Sequence, residues 1–235
     1  LAIIYFAFAK MGLLLATLNQ TASPVWPATG FAFAIVYIFG KKVWPAIAIG
    51  AFVANYLTGG PLLATLLITL GNTLEALVGA SIIHKIQSYR KYLSYQTEFV
   101  AFSLAAVLGS LVSASIGASA LYFSHVAGPD VILSVWVTWW VGDTLGGLVI
   151  TPILTQLHKI KFYTDNWLNA VGVVLSAIVI SYFVFIHSAG SSFIFLLFPV
   201  VLFAVMRLGD ICVLIISAFI CIFSVVITVN GLGPF

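Results

Sequence analysis

The sequence predicts an all-α, polytopic transmembrane helical bundle, and three observations carry that prediction. Hydrophobic residues make up 63% of the 235 residues and charged residues only 6%, with a mean hydropathy of +1.21. Soluble domains carry charge on about a quarter of their residues. The apolar runs are long and nearly continuous, unlike the alternating segments of about ten residues in an outer-membrane barrel. Finally, the basic residues gather on alternate connections between runs. The lipid bilayer is therefore the first expected partner. The net charge of +3 resides in loops and gives no reason to expect nucleic acid.

Taken in order, the runs predict about nine crossings: Leu1–Leu18, Pro24–Phe39, Val43–Leu57, Pro61–His84, Phe99–Phe123, Val131–Leu157, Trp167–His187, Ser192–Met206 and Ile211–Val229. Lys41 and Lys42 follow the second; Lys85, Arg90 and Lys91 the fourth; Lys159 and Lys161 the sixth; Arg207 the eighth. The intervening connections, near Asn19-Gln20, Gly59-Gly60, Gly128 and Ser188, contain no Lys or Arg. Eight of the nine basic residues thus lie on one side, with Lys10 the exception. The positive-inside rule places that side in the cytoplasm of a bacterial inner membrane. Residues 1–235 read as one integral-membrane domain that begins inside an apolar run. Its closing Gly231-Leu232-Gly233-Pro234-Phe235 has loop character, so a further span and a cytoplasmic segment are expected beyond it.

Asp143 is the most informative residue. It lies about 18 Å along the sixth run at the helical rise per residue, where a carboxylate costs roughly 2.5–3.5 kcal/mol on insertion scales. Its surroundings, Trp139-Trp140-Val141-Gly142-Asp143-Thr144-Leu145-Gly146-Gly147, combine aromatics with glycines. Trp136, Trp139, Gly147 and Thr151 share its helical face. Glu75 is the second intramembrane acid, flanked at four-residue spacing by Gly71 and Gly79, small residues that admit a neighbouring backbone. The fifth run offers Ala105, Gly109, Ser113 and Gly117 at the same spacing for a close helix contact. Gly71-Asn72-Thr73-Leu74-Glu75 and Gly142-Asp143-Thr144-Leu145-Gly146 align with Asn72 opposite Asp143. The match reads either as a parallel internal repeat or as the ordinary recurrence of Gly and Leu in membrane helices.

Lys10, near the middle of the first run, must snorkel or pair. The expectation is an ion pair with Asp143 or Glu75, of structural or ligand-binding purpose. Pro24 and Pro27 bracket Trp26, which reads as a kinked outer loop with an interfacial tryptophan or as a partly re-entrant stretch lining a cavity. Arg207 and Asp210 read as a surface ion pair of little worth. His84, His125, His158 and His187 lie at run ends without metal-ligand spacing. Cys212 and Cys221 point to opposite faces of one helix, as core fillers. No nucleophile–base constellation, cofactor motif or metal motif is present, and no catalysis by this chain is expected.

Val25-Trp26-Pro27-Ala28-Thr29-Gly30, Gly40 with Trp44-Pro45, and Gly50-Ala51-Phe52-Val53-Ala54-Asn55 resemble the opening of the MASE1 membrane-associated sensor domain. Trp139-Trp140-Val141-Gly142-Asp143, Gly146, Thr151-Pro152, Phe198-Pro199, Arg207-Leu208-Gly209 and Gly231–Phe235 continue the resemblance in order. It implies a sensory input module ahead of a cytoplasmic histidine kinase, diguanylate cyclase or phosphodiesterase, dimeric through that output. It implies a small-molecule stimulus or a transporter-like membrane partner, without naming either. Carried over as core-site positions are Trp26, Pro27, Trp140, Asp143, Gly146 and Arg207, beside Trp139, Gly142, Glu75, Asn72 and Lys10 from the residues themselves. Two rival readings stay open: a transporter or its substrate-binding subunit, and a docking platform whose buried charges are structural.

Overall fold

The computed structural model describes residues 1–16, 23–88, 95–156, 167–186, 190–208 and 210–231. Among these, nine α-helices follow in order: α1 (Ala2–Leu13), α2 (Pro27–Phe39), α3 (Trp44–Tyr56), α4 (Leu62–Ser88), α5 (Tyr95–Phe123), α6 (Ile132–Gln156), α7 (Trp167–Ile186), α8 (Leu197–Arg207) and α9 (Asp210–Val229). They gather into two compact units, Leu1–Thr151 and Pro152–Phe235.

The all-helical class agrees with the sequence, but the count of crossings does not. Among the described residues five helices are long and apolar enough to cross a membrane, α4, α5, α6, α7 and α9. α1, α2, α3 and α8 have 12, 13, 13 and 11 residues, so each reaches only about 16–20 Å against a hydrocarbon thickness of about 30 Å. Nine full crossings is therefore an overcount. Hydropathy registers apolar residues and is silent on where a helix breaks. α2, for example, cannot start before Pro27, whose ring suits the first helical turn. It ends at Gly40, whose φ of +81° suits a residue without a Cβ.

In the first unit α4 and α5 form the most extensive pair; α3 and α2 pack on α4, and α1 bridges α2 and α3. α2 is buried from Pro27 through Val36. A helix that is apolar all round belongs inside, and α2 occupies the interior of this unit. The α5–α6 seam holds Leu121, Val135 and Trp139 in one apolar cluster with Ile68 of α4. In the second unit Val173, Ala177, Val200, Ala204 and Ile216 join α7, α8 and α9.

Candidate functional site

The site is organised by glycines that let backbone meet backbone. The non-helical segment Ser23–Trp26 runs beside α6, and the Trp26 amide donates to the Gly142 carbonyl at 2.9 Å. A Cβ on Gly142 would stand 2.0 Å from the Ser23 carbonyl oxygen, and one on Gly146 would stand 2.0 Å from that of Trp26. One turn into α2, a Cβ on Gly30 would stand 2.3 Å from the Gly146 carbonyl oxygen. The Thr151 hydroxyl donates to the Gly30 carbonyl at 3.1 Å and fastens this seam. The glycine pair, four residues apart, forms a groove in α6 that receives a broken stretch of chain.

This seating carries the first turn of α2 into the middle of the unit. Thr29 Oγ1 donates to Glu75 Oε2 at 3.1 Å, and Ser110 Oγ of α5 donates to Glu75 Oε1 at 2.9 Å. Ser113 Oγ, one turn further along α5, donates to Asn72 Oδ1 at 2.9 Å. Glu75 is 2% exposed and Asp143 1% exposed. Each stands midway along its helix, α4 and α6 respectively. The two acids lie within Coulomb range of one another. Ser113 and Thr29 adjoin Asp143. The Tyr5 hydroxyl, brought in by α1, adjoins the Trp26 indole and the Asn72 amide and feels both acids. The partial positive charge at the N-terminus of α2 favours anionic groups beside it. Thr29, in the first turn, brings that end beside Glu75.

Among the described residues two buried polar atoms of this centre, Asp143 Oδ2 and Trp26 Nε1, make no hydrogen bond of good geometry, although Ser113, Thr29 and Trp139 adjoin the acid and Tyr5 the indole. Buried polar groups are almost always paired, because an unpaired one forfeits about 1–3 kcal/mol. Packing around them is close. The Trp26 ring rests on Gly12, where a Cβ would meet it at 2.5 Å, and the Trp139 ring rests on Gly117 at 2.6 Å. Phe33 of α2 fills the space against Gly79 and Gly109 in the same manner.

The candidates named from the sequence divide into three groups. Asp143, Glu75, Asn72, Trp26, Pro27, Trp139, Gly142 and Gly146 meet in and around this centre, and Asp143 faces protein neighbours as a buried acid should. Trp140 flanks it, its Nε1 donating to the Val107 carbonyl at 3.0 Å and its ring stacked on Trp136. Lys10 does not join either acid, and Arg207 belongs to the other unit. Lys10, half-buried, places its ammonium over the Phe6 ring, 5.8 Å from the centroid. Among the described residues no ion pair joins it to either acid. A long aliphatic stem lets the charge leave the interior, which is why mid-run placement did not enforce pairing. Arg207 is exposed at the end of α8 in the second unit. Its expected pairing with Asp210 rests on a side chain outside the described residues. The reading of Trp26 as interfacial is likewise corrected: it is 6% exposed, because Gly12, Gly142 and Gly146 make room for it. His84 stacks on Tyr37; His158 and His187 lie outside the described residues.

Sequence reasoning missed Tyr5, Thr29 and Ser110 as members of the site, and took Ser113 only as a small residue at a helix contact. Spacing held a signal for Ser110 and Ser113. Both lie on the small-residue face of α5 that includes Gly109 and Gly117.

The sequence matches the MASE1 family over residues 1–235. No curated protein and no solved structure matches the chain.

Proposed function

Because the chain belongs to the MASE1 family, membrane-associated sensor domains of signalling proteins, we propose that it is the signal-input domain of a bacterial inner-membrane histidine kinase or cyclic-di-GMP enzyme, with the acid pair at its core as the signal-receiving site. The observation that carries this reading is the paired, buried Glu75 and Asp143 at a junction of α1, α2, α4, α5 and α6. A stimulus shifts a conformational equilibrium only by its differential affinity for the two packings. Charged groups enclosed among five helices give a small ligand that leverage. Binding at Asp143 would move the Gly142–Gly146 face against the Ser23–Trp26 segment, and α6 leads directly out of that site.

The test compares output activity of the whole signalling protein, in membranes, between the native chain and Asp143→Asn. The reading requires that Asp143→Asn lock the output at one level regardless of stimulus while protein abundance is retained. Normal regulation in that variant would refute it. A transporter-like reading draws support from the broken chain at Ser23–Trp26, a form common at substrate sites. Uptake of solute by reconstituted vesicles, dependent on Asp143, would favour it instead.

A further inference from the structure

We propose that Asp143, together with Glu75, Asn72 and Ser113, binds a monovalent inorganic cation of about the size of sodium. The inference rests on the reading of this centre as the signal-receiving site and supplies the ligand's chemistry. Two carboxylates lie inside the unit, and Lys10, the one cationic residue placed in an apolar run, sits over Phe6 instead of beside them. Ionising a carboxyl there without a counter-charge is costly, so a bound cation is what would favour the ionised form. Asp143 Oδ2 makes no hydrogen bond of good geometry. The hydroxyls of Ser113 and Thr29 adjoin the acid, and Ser113 in turn donates to Asn72 Oδ1, neutral oxygens that suit a hard cation. Among the described residues no group of three or more His, Cys, Asp or Glu gathers to hold a transition metal.

Size follows from packing. Gly12, Gly79, Gly109, Gly117, Gly142 and Gly146 are each filled to contact by a ring or a carbonyl, and packing this close argues against an organic ammonium and for a nearly bare ion. Charge selects the valence. One monovalent cation and one proton shared by the pair make the site neutral, whereas calcium calls for six to eight oxygens. Trp139 adjoins Asp143, so its indole reports occupancy.

The experiment measures radioactive sodium binding to the purified chain in lipid nanodiscs, with choline holding ionic strength constant. Tryptophan fluorescence and thermal unfolding are followed in the same titration. Expected are saturable binding near one ion per chain, a fluorescence change with the same midpoint, and a melting temperature raised by sodium and not by choline. Asp143→Asn should abolish saturation, and Ser113→Ala, which removes one oxygen and adds no bulk, should weaken it about tenfold. If Asp143→Asn does not fold, Ser113→Ala decides. No saturable sodium binding by the native chain, or binding unchanged in Ser113→Ala and Asp143→Asn, overturns the proposal. Intact binding with an output indifferent to sodium in the whole signalling protein leaves the cation site standing and overturns the signal-input reading.

Discussion

The Trp26 amide and the Gly142 carbonyl share a hydrogen bond of 2.9 Å across two segments far apart in the chain, and this single bond fixes where the interior helix begins. Trp26 precedes α2, and its neighbours in the non-helical segment have no helical partner for their backbone groups. In a membrane interior such groups must find one within the protein. Gly142 and Gly146 open α6 so that its carbonyl becomes reachable, and the same approach delivers Thr29 to Glu75.

Gly146→Ala is therefore expected to be severe. The new methyl would stand 2.0 Å from the Trp26 carbonyl oxygen, where only backbone movement relieves it. The loss should be at the upper end of overpacking costs, about 3 kcal/mol. Gly172→Ala is the control, since a Cβ there meets nothing within 4 Å. It should be neutral or stabilise α7 by up to about 1 kcal/mol through helix propensity. Thermal unfolding of the two variants in the same detergent checks the contrast, and similar melting temperatures would exclude the groove.

Glu75 and Ser110 are expected to be coupled. The hydroxyl donates to Oε1 at 2.9 Å inside the bundle. A double-mutant cycle with Glu75→Gln and Ser110→Ala should give an interaction energy of about 1–3 kcal/mol, the range for a hydrogen bond to a charged group. Chemical denaturation provides the four stabilities, and additive losses would mean that the two side chains do not meet.

Lys10→Met should change stability by no more than about 0.5 kcal/mol, the usual scale for a substitution that breaks no buried pair. Combining it with Asp143→Asn should give no rescue. The pairing anticipated from the sequence predicts the reverse, a large loss for Lys10→Met that Asp143→Asn partly restores. The same unfolding assay separates the two.

The acids and their glycine-rich surroundings were legible because each is costly in an apolar run, so its presence in the sequence is already a statement about burial. The hydroxyl partners were not. Thr69, Thr73 and Ser81 of α4 all donate to the carbonyl four residues earlier, so a hydroxyl on a membrane helix needs no tertiary partner. Nothing in the sequence distinguishes these from Thr29, which reaches across to Glu75, and only its place on the small-residue face of α5 sets Ser110 apart. Helix length was illegible for a related reason. Residues 24–39 are as apolar as a span, yet the chain is not helical up to Trp26, and only contact with Gly142 and Gly146 shows what satisfies that stretch.

Trp140→Phe isolates one contact of the α5–α6 seam. It removes the donor that reaches the Val107 carbonyl at 3.0 Å and keeps most of the ring stacked on Trp136. The expected loss is about 1 kcal/mol, the net worth of a neutral hydrogen bond. Unfolding midpoints measured with and without the substitution check it, and a loss several times larger would mean that the ring's packing dominates.

The two acids should respond oppositely to neutralisation, and this contrast bears most directly on function. Glu75 accepts hydrogen bonds on both oxygens, whereas a Gln side chain presents one carbonyl oxygen and an amide. Glu75→Gln should thus cost about 1–3 kcal/mol, because one hydroxyl loses its acceptor. Asp143 Oδ2 makes no hydrogen bond of good geometry, so the native residue itself carries a desolvation cost. In choline buffer, without a metal cation, Asp143→Asn should leave the chain as stable as the native one or stabilise it by about 1 kcal/mol. Residues that weaken a fold locally and persist are those a protein keeps for a task. A loss of stability in Asp143→Asn as large as in Glu75→Gln, measured side by side by denaturation, would show instead that Asp143 is a structural member of the core.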